Sequence, residues 1–438
     1  MHLPSVRLQR ESLIVLLSLG LQVPLAVLLG HYYDERVFMA TGYLVSSGLN
    51  PYQPHILAGV FSSPYLNGAI PSIGYPPPWP LLLGLIYRIS FNIVPNVFLY
   101  NFAIKVPVIV GNVALAYTLR SLILKLGANK NRAQYAWLFI LFNPFVLLTT
   151  VAWGEFDTII ALLCIFSFYL LSKGMIKESA FLLAIGVVLK PLALPLVGLP
   201  FLFSSGNNQQ RKNLRFLAVF SVTLGFCYFV PFFLERWTLP GGLQEYNGYN
   251  QMAGGLTPFN IIELLTGSPS IPSTFEFLGY IWIPAILVGY YFVYRNRPKS
   301  FNELLPKVVA LTLIFFLTRS WLSEPNINLI LPLMLLTTSA EKLNFRNFHF
   351  AWVIPFAFMF LNTSFPQLFF LVYPSVIPAL AQLDQQIRNV RLLSRFLITI
   401  PWQILAWNIV FKQLRRNSLK NLSYGRTADV ISGEPAGK

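Results

Sequence analysis

Two adjacent carboxylates, Asp34 and Glu35, open the polar, aromatic stretch from His31 to Pro80, at the point where a first hydrophobic span ends. A sugar hydroxyl is a poor nucleophile, and a carboxylate held beside it can accept its proton as it attacks a carbon centre. Tyr32, Tyr33, Tyr43, Tyr52, Tyr65, Tyr75 and Trp79 fill the same stretch, and such rings favour membrane interfaces and stack on sugar faces. Other charges stand near later apolar runs: Glu155 and Asp157 in WGEFD, Lys190 before Pro191, Lys105 deeper in its span than a flanking residue, and Arg319 with Glu324 in RSWLSEPN. A lysine in an apolar run is costly and is normally paired with an anion or snorkels to the interface. Each residue also has a plainer role. Asp34 and Asp157 suit the N-caps of the helices that follow them, Glu155 suits an interface charge, and Arg319 and Glu324 suit a pair across their turn.

The elements that must position these residues are membrane helices. The 438-residue chain is 55% hydrophobic and only 11% charged, with mean hydropathy +0.59. Apolar runs repeat from end to end and are too long for barrel strands, so the expected fold is an all-α polytopic membrane protein. A net charge of +16 would suggest nucleic acid in a soluble chain. Here the basic residues cluster in short connections between spans, where they act as topology signals and give no reason to expect a nucleic-acid partner. Cys164 and Cys227 lie inside apolar runs, with no sign of a disulfide or metal site.

Arg7 and Arg10 precede a retained first span, Leu13 to Gly30, with a cytoplasmic N-terminus. A short amphipathic helix on the membrane surface is expected after Asp34, ended by Gly48 and Asn50-Pro51. Leu81 to Phe91 is about a dozen residues, too short at ~1.5 Å per residue to cross a ~30 Å core. Residues 31–96 therefore read as one large extracytoplasmic catalytic loop with surface helices. Spans follow at Val97–Tyr117, Tyr135–Val151 and Thr158–Leu171, then a hairpin over Ser179–Phe203 broken near Lys190. Later spans are Leu214–Leu234, Phe277–Tyr294, Leu304–Trp321, Asn326–Ser339, His349–Leu361 and Phe396–Phe411. This makes about twelve crossings in one domain, residues 1–411, with Pro366–Arg391 as an alternative crossing. Residues 412–438 read as a basic, disordered cytoplasmic tail. The Gly-, Tyr- and Asn-rich loop TLPGGLQEYNGYNQMAGGLTPFN suits a mobile lid over a sugar.

No repeat of 20 to 50 residues is visible, and the halves lack the paired interrupted helices of many transporters. The candidate residues instead collect on one side of the membrane, which favours surface chemistry. The competing class is a secondary transporter or lipid flippase, with Lys105 and Lys190 as substrate-binding charges. A noncatalytic subunit of a glycosylation complex would keep the fold and tolerate loss of Asp34.

The order of SSGLNPYQ, GYPPPWPLLLGLIY, KVPVIVGN, NPFVLLTTVAWGEFDTIIALL, AIGVVLKPLALPLVGLP and SWLSEPNINLILPLML after the acidic pair resembles the GT-C superfamily of polyprenyl-phosphate-sugar glycosyltransferases, especially its lipid-phosphate-mannose-dependent mannosyltransferases. The resemblance implies a GT-C fold that transfers a hexose, with mannose expected, from a polyprenyl-phosphate sugar of the dolichol kind to a lipid-linked or glycan acceptor. Transfer would be inverting, at the extracytoplasmic face of a cell or endoplasmic reticulum membrane. It also implies that Asp34 is the base with Glu35 completing the pair, that Asp157 is the acid of a GxFD element, and that Lys190 is the lysine of a KP element. Two positions depart from the pattern: Glu155 stands where glutamine is commoner, and Pro325 where glutamine follows the glutamate. Lys190 and Arg319 are the cations expected to face the leaving lipid phosphate. A divalent metal bridging Asp34 and Glu35 to that phosphate is the one cofactor the pair would admit.

Overall fold

The computed structural model describes residues 4–203, 208–237 and 251–415, with side chains from residue 9 onward. The first half of the Gly- and Tyr-rich loop, 238–250, and the tail from 416 lie outside the described residues. The chain is an all-α polytopic membrane protein. The two sheets among the described residues are a short antiparallel ribbon, β1 (His55–Leu57) with β2 (Gly68–Ile70), and a two-residue parallel pair, β3 (Gly254–Gly255) with β4 (Trp321–Leu322).

In chain order the first helices are α1 (Pro4–Leu28), α2 (Tyr32–Ser46), α3 (Pro78–Ile89), α4 (Val97–Lys125), α5 (Lys130–Phe142), α6 (Pro144–Leu147), α7 (Asp157–Ser172) and α8 (Ile176–Leu189). A π-turn, Leu148–Ala152, extends α6, and a 3-10 turn, Pro191–Leu196, follows α8. Then come α9 (Leu199–Leu202), α10 (Gln209–Leu234), α11 (Ile261–Thr266), α12 (Trp282–Arg295), α13 (Phe301–Thr318), α14 (Ile327–Ser339), α15 (Phe345–Leu361), α16 (Ser364–Gln367) and α17 (Val376–Arg415). Among the described residues, seven helical stretches are long and apolar enough to cross a bilayer, while α7, residues 191–202 and α15 are apolar but shorter. The expected twelve crossings exceed the seven that meet both criteria.

Hydropathy alone does not distinguish the inner helices from the outer ones. The apolar window of α13 is 89% buried, whereas those of α1 and α10 are 17% buried. A helix apolar all round can sit in a protein core or against lipid. Here α13 and α14 form the core, and α1, α10 and α12 present their side chains outward. Polar side chains join the inner helices, as they do where lipid offers no alternative partner. Asn328 donates to Thr149 at 2.7 Å, Asn112 to Thr150 at 3.0 Å, and Thr158 to Asn112 at 2.7 Å.

The helices alternate so that basic residues gather at one end and the candidate carboxylates at the other. Arg120 pairs with Glu11 at 2.7 Å and Arg132 with Glu341 at 3.0 Å, which fixes the basic end of α1, α4 and α5.

Several local expectations change. The helix after Asp34 exists, ended by Gly48 at φ +73°. It is not a surface helix, because nine of its residues are buried and it packs on α3 and α4. Pro366–Arg391 is not a separate crossing. It comprises a connecting turn and the first part of α17, whose 40 residues, at ~1.5 Å each, make a rod about twice the ~30 Å hydrocarbon core. The carboxylate end therefore carries more arginine than the sequence reading allowed. Arg388 and Arg395 face Glu263, at 3.5 and 3.0 Å, and Arg391 faces Asp384 at 2.6 Å.

Candidate active site

The turn that presents Asp34 is tied to α4. The C-terminal carbonyls of a helix lack intrahelical partners. In α1 they are met by two residues one turn apart: Asn101 donates to Ala26 and Leu29 at 2.7 and 2.8 Å, and Lys105 donates to Leu29. From the other side, Gly30 N–H donates to the Leu368 carbonyl at 2.8 Å. The chain then enters α2 with His31 at the N-cap position and Asp34 in the first turn.

Asp34 therefore does not cap α2. Its Oδ2 accepts from Trp153 Nε1 at 2.7 Å and lies 2.9 Å from His31 Nδ1, and the His31 ring stacks on Trp153 with centroids 3.9 Å apart. Burial pushes this carboxyl up, but His31 and the Trp153 N–H outweigh it and hold Asp34 below its ordinary value.

Glu35 points the other way. It is fully buried, 3.3 Å from Lys105 Nζ, under the turn at Gly154. Burial pushes it up to about 7 against the pull of Lys105. The helical twist between neighbouring residues turns the two carboxylates apart, Asp34 to the cavity and Glu35 to Lys105. Lys105 likewise closes the floor beneath the site, donating to the Ala152 carbonyl at 3.0 Å.

The WGEFD segment supplies the opposite wall. A π-turn, often found at functional sites, leads into it. Gly154 takes φ +98°, and a Cβ there would meet Glu35 Oε2 and Lys105 Cε at 3.3 Å, so glycine is required both by the backbone and by the buried pair. Asp157 is the first residue of α7 and does not cap it.

Lys190 stands in extended backbone where Pro191 breaks the chain between α8 and the 3-10 turn. Its Nζ lies 2.8 Å from both Glu155 Oε2 and Asp157 Oδ2. Tyr75 donates to Glu155 at 2.9 Å and Asn326 to Asp157 at 3.3 Å. Burial pushes Glu155 up to about 7 against Lys190. The lysine expected to meet a phosphate thus already has two carboxylates.

Arg319 is different. It is buried below the Trp321–Leu322 strand with its Nη1 unpartnered among the described residues, beside the Phe315 ring at 5.1 Å. The expected Arg319–Glu324 pair is not formed: Glu324 accepts from Asn362 and Ser364, each at 2.9 Å. Of the lid segment, Met252 reaches the site and Gly254–Gly255 pairs with Trp321–Leu322.

A cavity of about 420 Å³ joins these groups. Asp34, Glu155, Lys190, Arg319 and Glu324 line it, whereas Glu35, Lys105 and Asp157 lie behind its walls. The sequence reading did not assign roles to His31, Trp153, Asn326 or Asn362, and it gave Tyr75 only a general aromatic one. Trp153 and Asn326 lie in the WGEFD and SWLSEPN segments already singled out, which were the available signals.

Residues 32–204 match the family model of the alpha-(1->6)-mannopyranosyltransferase N-terminal domain, the MptA_B family. This part of the chain is similar to a GT-C type mannosyltransferase domain. The match includes Asp34, the WGEFD segment and Lys190, and ends before Arg319 and Glu324. No curated protein matches the chain. The apolar helices make this a multi-pass membrane protein, and the family match within it is to a mannosyltransferase domain.

Proposed function

We propose that the protein transfers mannose from a polyprenyl-phosphate sugar to a hydroxyl of a lipid-linked or glycan acceptor at the extracytoplasmic face, with inversion. The observation that carries this reading is the contrast across the 420 Å³ cavity: a restrained carboxylate, Asp34, on one wall and on another Arg319, whose Nη1 has no partner among the described residues. Asp34 Oδ2 is occupied, so Oδ1 is the oxygen available to an acceptor hydroxyl.

In the reaction the acceptor oxygen attacks the anomeric carbon, its proton passes to Asp34 Oδ1, and the bond from that carbon to the phosphate oxygen breaks. The lipid phosphate leaves with the electron pair, and Arg319 meets its charge. Glu155 is held by Lys190 and Tyr75, which supports one displacement in preference to a carboxylate nucleophile and two. Lys190, Glu155 and Asp157 act as a clamp that joins the WGEFD segment to the break after α8.

The cavity opens among helix ends on one side of the bundle, opposite the basic connections, which supports an extracytoplasmic surface site. A transporter would need polar groups at mid-depth reachable from both sides. The test is purified protein in nanodiscs with lipid-linked mannan acceptors, given in parallel labelled polyprenyl-phosphate mannose, polyprenyl-phosphate glucose and the corresponding nucleotide sugars. Transfer from polyprenyl-phosphate mannose is expected. Transfer from nucleotide sugars alone, with lipid intermediates excluded, would overturn the donor assignment.

A further inference from the structure

Three carboxylates line the main cavity, and they are held differently. Asp34 has His31 beside it and Glu155 has Lys190. Glu324 is 1% exposed, and among the described residues no cation lies within ion-pair distance of it. Arg395, which acts on it electrostatically, is paired with Glu263 at 3.0 Å. A buried carboxylate without a contacting cation is costly unless hydrogen-bond donors surround it. The protein supplies donors to one oxygen only. Glu324 Oε1 accepts from Asn362 Nδ2 and Ser364 Oγ, each at 2.9 Å, whereas Oε2 accepts from no described residue.

Thr363, at φ +59°, bends the chain after α15 so that Asn362 and Ser364 meet on the same oxygen. That conformation is an outlier for a β-branched residue and is found at ligand clamps. Asn362 also donates to Ser364 at 2.9 Å, which uses both of its amide hydrogens. The atoms left over on this wall, Glu324 Oε2 and Asn362 Oδ1, are therefore acceptors. They disfavour a phosphate and suit a ligand rich in hydroxyl donors.

The same chain segment carries complementary groups. Arg319, Trp321 and Glu324 all line the cavity, with β4 between the cation and the carboxylate. Gly254 lies against the Trp321 indole, where a Cβ would collide with the ring, so the indole is a fixed apolar surface of the kind that packs on a sugar face. Cation, aromatic surface and acceptor correspond to the phosphate, ring and hydroxyls of a hexosyl phosphate.

We propose that Trp321, Glu324 and Asn362 form the pocket for the donor hexose, and that Glu324 decides which sugar is transferred by accepting from hydroxyls of that ring. This rests on the reading that the cavity takes a hexosyl phosphate with its phosphate at Arg319. A site built around such a hydrogen bond rejects a sugar lacking the hydroxyl, because the buried carboxylate is then left without its donor.

Binding to the purified full chain in nanodiscs is measured by calorimetry with mannose 1-phosphate, its monodeoxy analogues and inorganic phosphate, and transfer is measured with the corresponding polyprenyl-phosphate sugars. Wild type should bind mannose 1-phosphate at least about tenfold more tightly than inorganic phosphate, and at least about tenfold more tightly than one or more of the deoxy analogues. Glu324→Gln retains an oxygen for Asn362 and Ser364 but presents a donor in place of Oε2. It should bind the parent sugar about tenfold more weakly and lose most of the discrimination against that analogue, in binding and in kcat/KM alike. Glu324→Asp, which keeps the charge and draws the carboxylate back, should also lose the discrimination, so the result does not depend on one variant folding. Equal binding of all the analogues by wild type, or a discrimination unchanged in both variants, would overturn the pocket even where transfer from polyprenyl-phosphate mannose is intact. Glu324-dependent discrimination without transfer from any donor would retain the pocket and sink the catalytic reading.

Discussion

The indole of Trp153 and the carboxylate of Asp34 form the closest polar contact in the cavity, Nε1 to Oδ2 at 2.7 Å, across 119 positions of sequence. It ties the first extramembrane turn to the WGEFD segment. With His31 stacked on the same indole, one oxygen of Asp34 is immobilised and the other faces the cavity. A carboxylate fixed in this way loses little orientation freedom when an acceptor hydroxyl arrives.

Asp34→Asn should leave the protein folded and membrane-inserted, since an amide can still accept from Trp153. It removes the proposed base, so kcat should fall by about 10²–10⁴. Single-turnover assays with matched expression and melting temperature check this. Near-wild-type turnover would move the base to another carboxylate, with Glu155 the next on the cavity wall.

Trp153→Phe retains a ring over His31 but deletes the donor to Asp34. One hydrogen bond to a charged group is worth about 1.5–3 kcal/mol, and its loss lets burial raise the Asp34 pKa. The acid limb of kcat/KM attributable to Asp34 should move to higher pH in this variant. An unchanged profile would show that the indole acts through packing alone.

Glu155 makes a separate acid limb. Its carboxyl is pushed up to about 7, so below that pH it takes up a proton and releases Lys190 from half of its clamp. The kcat/KM of the wild type should fall as pH drops through about 7. Glu155→Gln mimics the protonated carboxyl, so it should lower kcat/KM at pH 8 toward the value the wild type has below pH 7, and lose this limb.

Much of this was legible in the sequence because the signals were strong and local. Pro191 after Lys190 broke the helix, and Gly48 ended α2. The eight candidate residues gather around one cavity, five on its lining and three behind its walls, but their division of labour could not be read from the sequence. Asp34 and Glu35 are neighbours in sequence, yet α2 turns one to the cavity and the other to Lys105. A buried α2 also looks like a surface helix to any periodicity argument, because its polar side faces other protein groups. The Lys190 clamp depended on residues 33 and 35 positions away, and spacing gives no guide to such contacts.

The buried Glu35 should couple stability to pH. Its ordinary value is 4.5 and its folded value about 7, so between these the folded chain holds a proton that the unfolded chain has released. The associated stability is complete below about 4.5 and is lost as pH rises through 7. Glu155 contributes with the same sign, so the measurement belongs in a Glu155→Gln background. There Tm in detergent should still fall from pH 5 to 8, and adding Glu35→Gln should flatten the slope.

The orientation of the bundle determines which compartment supplies the sugar, and it can be read with single cysteines in a background lacking Cys164 and Cys227. Ser62 lies exposed between β1 and β2, and Gln386 lies exposed on the opening half of α17, both at the carboxylate end. Asn131 lies exposed at the basic end, beside Arg132. If the basic connections are cytoplasmic, an impermeant maleimide added to intact cells should label Ser62→Cys and Gln386→Cys. It should reach Asn131→Cys only after permeabilisation. Agreement between Ser62 and Gln386 also checks that α17 projects beyond the bilayer with the catalytic loop, because a separate crossing within Pro366–Arg391 would change the labelling expected along that segment. The opposite pattern, with Asn131→Cys labelled in intact cells, would turn the cavity toward the cytoplasm, where nucleotide sugars are made, and would remove the argument for a lipid-carried donor.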